Sequence, residues 1–268
     1  MSQAPTQAAS PAPRIGRWTL WRVFWRSFFF LAASNYERMQ NVGFAYAMAP
    51  ALGRLYQGEA LKAAMARHLG FFNSHPYLAA AVLGASIRLE ERVAAGELPP
   101  EMVVGLKRVA QGPLAAIGDS FFWSSLRPFA AVWTIGGLAS GVFWAPLAFL
   151  ALYNLFHIGL RAYGLWVGYR DAEGVLPKLQ QFNLVKLADM GHFALGAFSG
   201  VLVALFADQA RRSSLPLGDG IEPILMLALT LIFFLSIRRK MPTIGLLFGA
   251  SLALLGYVLV LNGLFPLW

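Results

Sequence analysis

Runs of uncharged residues divide the chain into two unlike halves. Residues 128–160 pass 33 positions without an Asp, Glu, Lys or Arg, 190–207 pass 18, 223–237 pass 15 and 241–268 pass 28. A helix needs about 20 residues to cross a hydrocarbon core, within a range near 17–25. The pattern therefore predicts several transmembrane helices over 128–268. The run 223–237 is short unless its ends snorkel, and the first run leaves room for a break at Gly136, Gly137 or Pro146. Glycines pair at the GxxxG spacing at Gly137/Gly141, Gly164/Gly168, Gly196/Gly200 and Gly245/Gly249. Small residues so spaced let helices approach closely in lipid, which points to a bundle or an oligomer.

The N-terminal half reads differently. Residues 39–53 are uncharged but hold Gly43 and Pro50, and 68–87 are interrupted by Asn73, Ser74, His75 and Pro76. Residues 109–126 are expected to break at Gly112-Pro113 and again at Gly118-Asp119. Backbone leaves helical geometry at membrane depth only where it is buried or lines a polar cavity, and such interrupted segments mark the sites of transporters. Broken, re-entrant hairpin helices are expected over 35–127.

Ahead of them, residues 1–13 form a low-complexity tail expected to be disordered. Residues 14–34 predict an interfacial amphipathic helix. Arg14, Arg17, Arg22 and Arg26 are interleaved with Trp18, Trp21, Phe24, Trp25, Phe28 and Phe29, and no acid occurs in the first 36 residues. Arg14, Trp18, Trp21, Arg22, Trp25 and Arg26 are the candidate lipid contacts, with indoles at headgroup level and guanidiniums on anionic lipid. Arg14 and Arg17 fall inside the aromatic arc, which leaves the amphipathic pattern imperfect.

Composition agrees with a membrane protein. Hydrophobic residues make up 57% of the 268 and charged residues 13%, with a mean hydropathy of +0.56. A soluble domain carries about 25% charged residues. The net charge of +9 suits anionic lipid and the positive-inside rule, and nucleic acid is not expected as a partner. Lys and Arg number four in 161–189, two in 208–222 and three in 238–240. An in, out, in order follows, with the N-terminus inside and the C-terminus outside. The chain has no cysteine, which removes disulfides, thiolate metal sites and a phosphocysteine carrier. Its four histidines include no i, i+4 pair, so neither metal nor cofactor is expected.

Four polar constellations remain, each with a plain structural alternative. In Asn35-Tyr36-Glu37-Arg38-Met39-Gln40-Asn41, a helix would place Glu37, Gln40 and Asn41 on one face, suited to sugar hydroxyls, and would hold Glu37 and Arg38 apart. The alternative is a solvated helix start. In Phe71-Phe72-Asn73-Ser74-His75-Pro76, the aromatic pair can stack on a sugar while Asn73 and His75 reach its hydroxyls; a capped helix end is the alternative. Pro76 disfavours helix at His75. Glu90 and Glu91 between Arg88 and Arg92 read as a surface ion network. Asp119 ends Gly112-Pro113-Leu114-Ala115-Ala116-Ile117-Gly118 and can accept sugar hydroxyls, cap a helix or pair with Arg127. No catalytic residue is expected in this chain.

Taken in order, these segments resemble the IID membrane component of mannose-family phosphotransferase system (PTS) permeases. The carriers are Asn35 to Asn41 with Gly43-Phe44-Ala45-Tyr46, His68, Phe71 to Tyr77, Glu90-Glu91, Gly112-Pro113-Leu114 to Ser120, Phe122-Trp123 and Leu126-Arg127-Pro128. The likeness covers about residues 18–265. Ser74 stands where the family usually has Thr, and Ala116 where it usually has Gly. The resemblance implies an all-α integral membrane protein of the bacterial cytoplasmic membrane. It also implies a IIC partner completing the sugar-translocating unit, assembled as a trimer of IIC–IID pairs. Cytoplasmic IIA and IIB would relay phosphate to a hexose or amino sugar. On this expectation Asn35, Glu37, Gln40, Asn73, His75 and Asp119 line or buttress the sugar path, supported by Phe71, Phe72, Pro76, Gly112, Pro113 and Gly118. The alternatives are a scaffold that docks IIC and IIB without touching sugar, and a stand-alone secondary transporter.

Overall fold

The computed structural model describes residues 14–212 and a few isolated helical positions beyond them. The tail 1–13 and the expected spans at 223–237 and 241–268 lie outside the described residues, as does the pair Gly245/Gly249. The chain divides into two compact units, Met1–Gly200 and Val201–Trp268. All that follows concerns the first. Of the second, the structure describes chiefly the helical stretch to Arg212.

The described elements are helices joined by turns and loops, with two isolated β-bridges, Asn35 to Met39 and Met39 to Phe72. Helix α1 is Arg17–Arg26 and runs into a 3₁₀ turn, Ser27–Phe29. Then follow α2 (Asn41–Leu55), α3 (Gly58–His68), α4 (Ala79–Ala94) and α5 (Glu101–Gly118). A π-helical segment, Asp119–Leu126, carries α5 into α6 (Arg127–Ala139). Helices α7 (Ala145–Arg170), α8 (Val175–Gln180) and α9 (Leu184–Arg212) complete the described chain.

Helix α4 forms the centre because its first nine residues are small or apolar on every face. Ala79 to Ile87 are buried without interruption, the signature of a helix enclosed by others. Its alanines and Gly84 let α7 come within backbone contact. A Cβ at Gly84 would strike the Leu165 carbonyl, and one at Gly168 would strike the Ala81 carbonyl. At Gly164 it would lie 3.2 Å from the Ala81 methyl. The Gly164/Gly168 pair therefore serves an intrachain crossing. Helix α7 is long and apolar enough to cross a membrane, by length and composition. It also bares Leu147 and Leu155, each about 70% exposed, an apolar surface suited to lipid or a partner.

Several expectations are corrected. The run 128–160 turns at Ser140–Trp144, after the anticipated Gly136 and Gly137 and before Pro146. Gly141 takes a φ of +83°, a left-handed conformation that glycine adopts without strain. Gly112-Pro113 does not break α5, and Pro50 does not break α2. A proline removes its own N–H bond, yet Ala110 and Leu114 on α5 remain buried on the packed face and hold the helix through it. At Gly118-Asp119 the hydrogen-bonding pattern widens to π and the helical path continues. Residues 35–40 form a turn that helix α2 follows only from Asn41, so Glu37, Gln40 and Asn41 do not share a helical face.

Helix α1 begins only at Arg17, so Arg14 precedes it and lies off the aromatic arc that its position seemed to interrupt. Trp18, Trp21 and Trp25 are at least half exposed. Thr19, Val23 and Phe24 turn inward.

Candidate functional site

Three segments meet where the polar motifs lie. The turn at 35–40 pairs with the loop after α3: Gln40 N donates to Phe72 O at 2.8 Å, and Phe72 N to Arg38 O at 3.4 Å. Side-chain amides then stitch turn to loop. Gln40 Nε2 donates to Ser74 O at 2.7 Å and accepts from Ser74 N through Oε1 at 3.3 Å. Asn41 Nδ2 donates to Leu69 O at 2.7 Å, and its Oδ1 accepts from Asn35 Nδ2 at 2.8 Å. Asn35 Oδ1 accepts from Arg38 N at 2.7 Å. Buried loop backbone must find partners, and these amides supply them.

Helix α5 closes the third side. Asn73 N donates to Gln111 Oε1 at 3.0 Å, and Ser74 Oγ to Gln111 O at 3.0 Å. His75 lies against Gly118 so closely that a Cβ there would enter its imidazole ring. The ring stacks on Phe122 at 5.0 Å and 9°. The geometry accounts for Gly118, and for the hydroxyl that Ser74 keeps in place of threonine.

The sequence-derived candidates separate on this frame. Gln40 and His75 are buried, and Asn35 is engaged through both side-chain ends. Phe72 sits in the core against Phe44 at 4.5 Å, and Pro76 is buried. The aromatic pair is thus not available as a pair; Phe71 alone is exposed. Gly112 and Pro113 are exposed on α5. Glu37 and Arg38 pair at 3.1 Å on the surface, correcting the expectation that they stay apart, because the turn places them as a helix would not. The side chains of Asn73 and Asp119 have no hydrogen-bond or ionic partner among the described residues. Asp119 does not pair with Arg127, and it lies inside a continuous helical path where no helix start needs a cap.

Sequence reasoning missed two clusters. Glu90 is fully buried, as is Glu91, correcting the expected surface network. Glu90 accepts from Arg67 Nε at 2.7 Å, Arg67 Nη2 at 3.0 Å and Tyr56 OH at 2.7 Å, and its Oε1 lies 2.9 Å from His68 Nε2. Burial pushes its carboxyl up, but these donors outweigh burial and bring it down to about 2. His68 is pushed down to about 4, chiefly by burial. Lys107, 4% exposed, rests over the Phe44 ring at 4.4 Å, and burial lowers it to about 8. The second cluster centres on Arg161, buried in α7. It donates to the backbone and hydroxyl oxygens of Ser27 and lies over the rings of Phe28 at 4.5 Å and Tyr77 at 5.5 Å. Tyr77 packs on His157 at 3.8 Å, with its hydroxyl 3.2 Å from that of Tyr153. The available signal was Arg161 itself, the charge that ends the 33-residue uncharged run.

The family model for the PTS mannose/fructose/sorbose family IID component matches residues 14–265. The chain belongs to that family. This IID component is 34% identical over 266 residues to the mannose-specific EIID component of Escherichia coli K12, covering 90% of this chain and 93% of the relative. It is 33% identical over 190 residues to the fructose permease IID component of Bacillus subtilis 168, covering 69% of each. One solved structure, titled only as a membrane protein, matches with a TM-score of 0.72 at 31% identity over 92% of this chain and 98% of that one. A chain from the cryo-EM complex of the mannose transporter ManYZ with microcin E492 matches with a TM-score of 0.57 at 31% identity, covering 95% and 99%. The IID component is thus an α-helical protein of the bacterial inner membrane and a permease subunit of sugar transport.

Proposed function

We propose that this IID component joins a IIC subunit to form the sugar-translocating unit, as a trimer of pairs, while IIA and IIB phosphorylate the arriving hexose or amino sugar. The observation that carries this reading is the match along nearly the whole chain to a chain of the complex of mannose transporter ManYZ with microcin E492. Within the chain, Asn73 and Asp119 are the residues we assign to sugar, because their side chains are not engaged internally. Asn35 and Glu37 form the rim. Gln40, His75, Phe72, Pro76 and Gly118 hold the loop that presents Asn73, with Phe71 beside it and Gly112 and Pro113 on the adjoining turn of α5. We place α1 in the membrane interface through Trp18, Trp21, Arg22, Trp25 and Arg26. The short helices over 35–127 are read as re-entrant and 128–268 as spanning, with the N-terminus cytoplasmic and the C-terminus outside, supported by the Lys/Arg count of the connections.

The docking reading is favoured by one observation of its own: Gln40, Asn41 and Ser74 direct their polar groups inward. Alanine at Asn73 and at Asp119, in cells expressing the full complex, separates the two. Lost sugar uptake with the complex intact supports sugar contact; lost assembly supports docking.

A further inference from the structure

Arg14, Arg88, Tyr169 and Arg170 line one recess of about 280 Å3. No carboxylate lines it. Arg14 and Arg170 form no ion pair among the described residues, whereas Arg88 donates from Nη1 to Glu91 at 2.7 Å. The recess is built by packing. Ile15 N donates to Glu91 Oε1 at 2.5 Å, and Tyr169 OH donates to that oxygen at 2.6 Å while lying 3.1 Å from Ile15 O. These bonds fasten the segment carrying Arg14 to α4 and α7, and so hold Arg14 at the recess that Arg88 and Arg170 also line. The local excess of positive charge is unmatched by the chain's own described residues.

One helical turn back along α7, and beside α1 from its first residue, a groove of about 380 Å3 is lined by Arg17, Leu20, Trp21, Phe24, Ala162, Leu165 and Trp166. Its surface is apolar except at Arg17. Arg170 bridges the two spaces, with its guanidinium 4.5 Å from the Trp166 ring centre. Trp21 and Trp166 are each about half exposed at the groove, the position of an indole at headgroup level. A cationic recess beside an apolar groove between an amphipathic helix and a membrane helix has the shape of a phospholipid: anion at one end, hydrocarbon at the other. A soluble oxyanion or a phosphorylated protein would use the arginines and leave the groove unfilled.

We propose that this IID component binds one anionic phospholipid at the α1–α7 junction, with its phosphate on Arg14, Arg88 and Arg170 and an acyl chain along Leu20, Phe24 and Leu165. The inference rests on the interfacial placement of α1 and not on the sugar assignment. Guanidiniums supply paired donors to phosphate oxygens, and a basic residue near an anionic surface adds about 1 kcal/mol. Removing two corresponds to roughly 30-fold weaker binding.

The test uses the full chain, purified in mild detergent and titrated with phosphatidylglycerol, phosphatidylethanolamine or glycerol 1-phosphate, with bound lipid counted by native mass spectrometry. One tightly held phosphatidylglycerol is expected, with roughly 30-fold loss in Arg14→Ala/Arg170→Ala and full retention in Arg108→Ala, a change remote from the recess. Trp166→Ala should weaken phosphatidylglycerol only, because it removes groove wall. Arg14→Lys/Arg170→Lys keeps the charge and covers the case in which the alanine pair fails to fold; it should bind several-fold more weakly than wild type. Equal affinity for the zwitterionic lipid, undiminished binding in both double variants, or glycerol 1-phosphate binding as tightly as the lipid would overturn the proposal. Quenching of Trp18 and Trp25 by brominated lipid in vesicles reports the placement of α1 separately: strong quenching without headgroup selectivity would leave α1 interfacial and dismiss only the site.

Discussion

Gln40 and Ser74 are joined twice across 34 positions of sequence, side-chain amide to backbone carbonyl at 2.7 Å and backbone N–H to amide oxygen at 3.3 Å. The amide copies a peptide pairing, so a loop with no strand partner is held as a strand would be. The polar run at 35–41 is conspicuous in the sequence for this structural reason before any ligand is considered. What it presents outward is Asn73, two residues from a buried His75.

The two roles predict opposite signatures. Gln40→Ala leaves the Ser74 N–H and C=O unpaired in a buried place and should cost about 1–3 kcal/mol. Asn73→Ala breaks no side-chain bond among the described residues and should change stability by less than about 0.5 kcal/mol. In uptake, Asn73→Ala and Asp119→Ala should each lose about tenfold or more, the equivalent of at least one hydrogen bond of about 1.4 kcal/mol. Thermal unfolding of the purified chain beside uptake by the complex checks both; a destabilised Asn73→Ala would return that residue to the scaffold.

The α4–α7 crossing carries a steric prediction. Gly84→Ala places a methyl on the Leu165 carbonyl with the Tyr169 nitrogen 2.8 Å away, so backbones must part. Overpacking of this kind costs about 1–3 kcal/mol. Gly196→Ala, where a methyl meets nothing within 4 Å among the described residues, should be neutral or gain from helix propensity. Melting temperatures of the two variants measure the contrast, and an equal response would contradict the crossing.

Acid should weaken the fold through the Glu90 cluster. Burial holds His68 below the ordinary imidazole range, and the donors around Glu90 hold it below the ordinary carboxylate range. Both are depressed in the fold, so the unfolded state binds more protons and stability falls as pH drops, first below the imidazole's ordinary value of 6.5 and then below the carboxylate's of 4.5. The melting temperature should decline from pH 7 to pH 4.5. His68→Gln should flatten that slope, and Glu90→Gln should lower stability at pH 7 by about 3–5 kcal/mol, because Arg67 loses its buried partner. A pH-independent melting temperature would contradict this.

Membrane class and helical fold were legible because they depend on composition and run length, which need no tertiary information. The polar break at Asn73 to Pro76 was legible too, since proline and amides mark departure from helix locally. The inward direction of Gln40 was not, because residues 35–40 fold as a turn against Phe72, a partner 32 positions away. Pro113 misled because packing on Ala110 and Leu114 overrides a local penalty. Glu90 and Glu91 misled because acids among arginines look solvated until Tyr56, His68 and Tyr169 enclose them. Arg161 shows the same limit: its acceptor, Ser27, lies 134 positions earlier.

Uptake of labelled sugar in paired strains decides whether this chain takes part in translocation. Both would express the IIC, IIA and IIB partners, one with this chain and one without it, each with and without phosphoenolpyruvate supply. Phosphorylated sugar should accumulate only in the complete, phosphoenolpyruvate-supplied strain for at least one sugar among mannose, fructose and sorbose. Equal accumulation in the two strains for all three would contradict it.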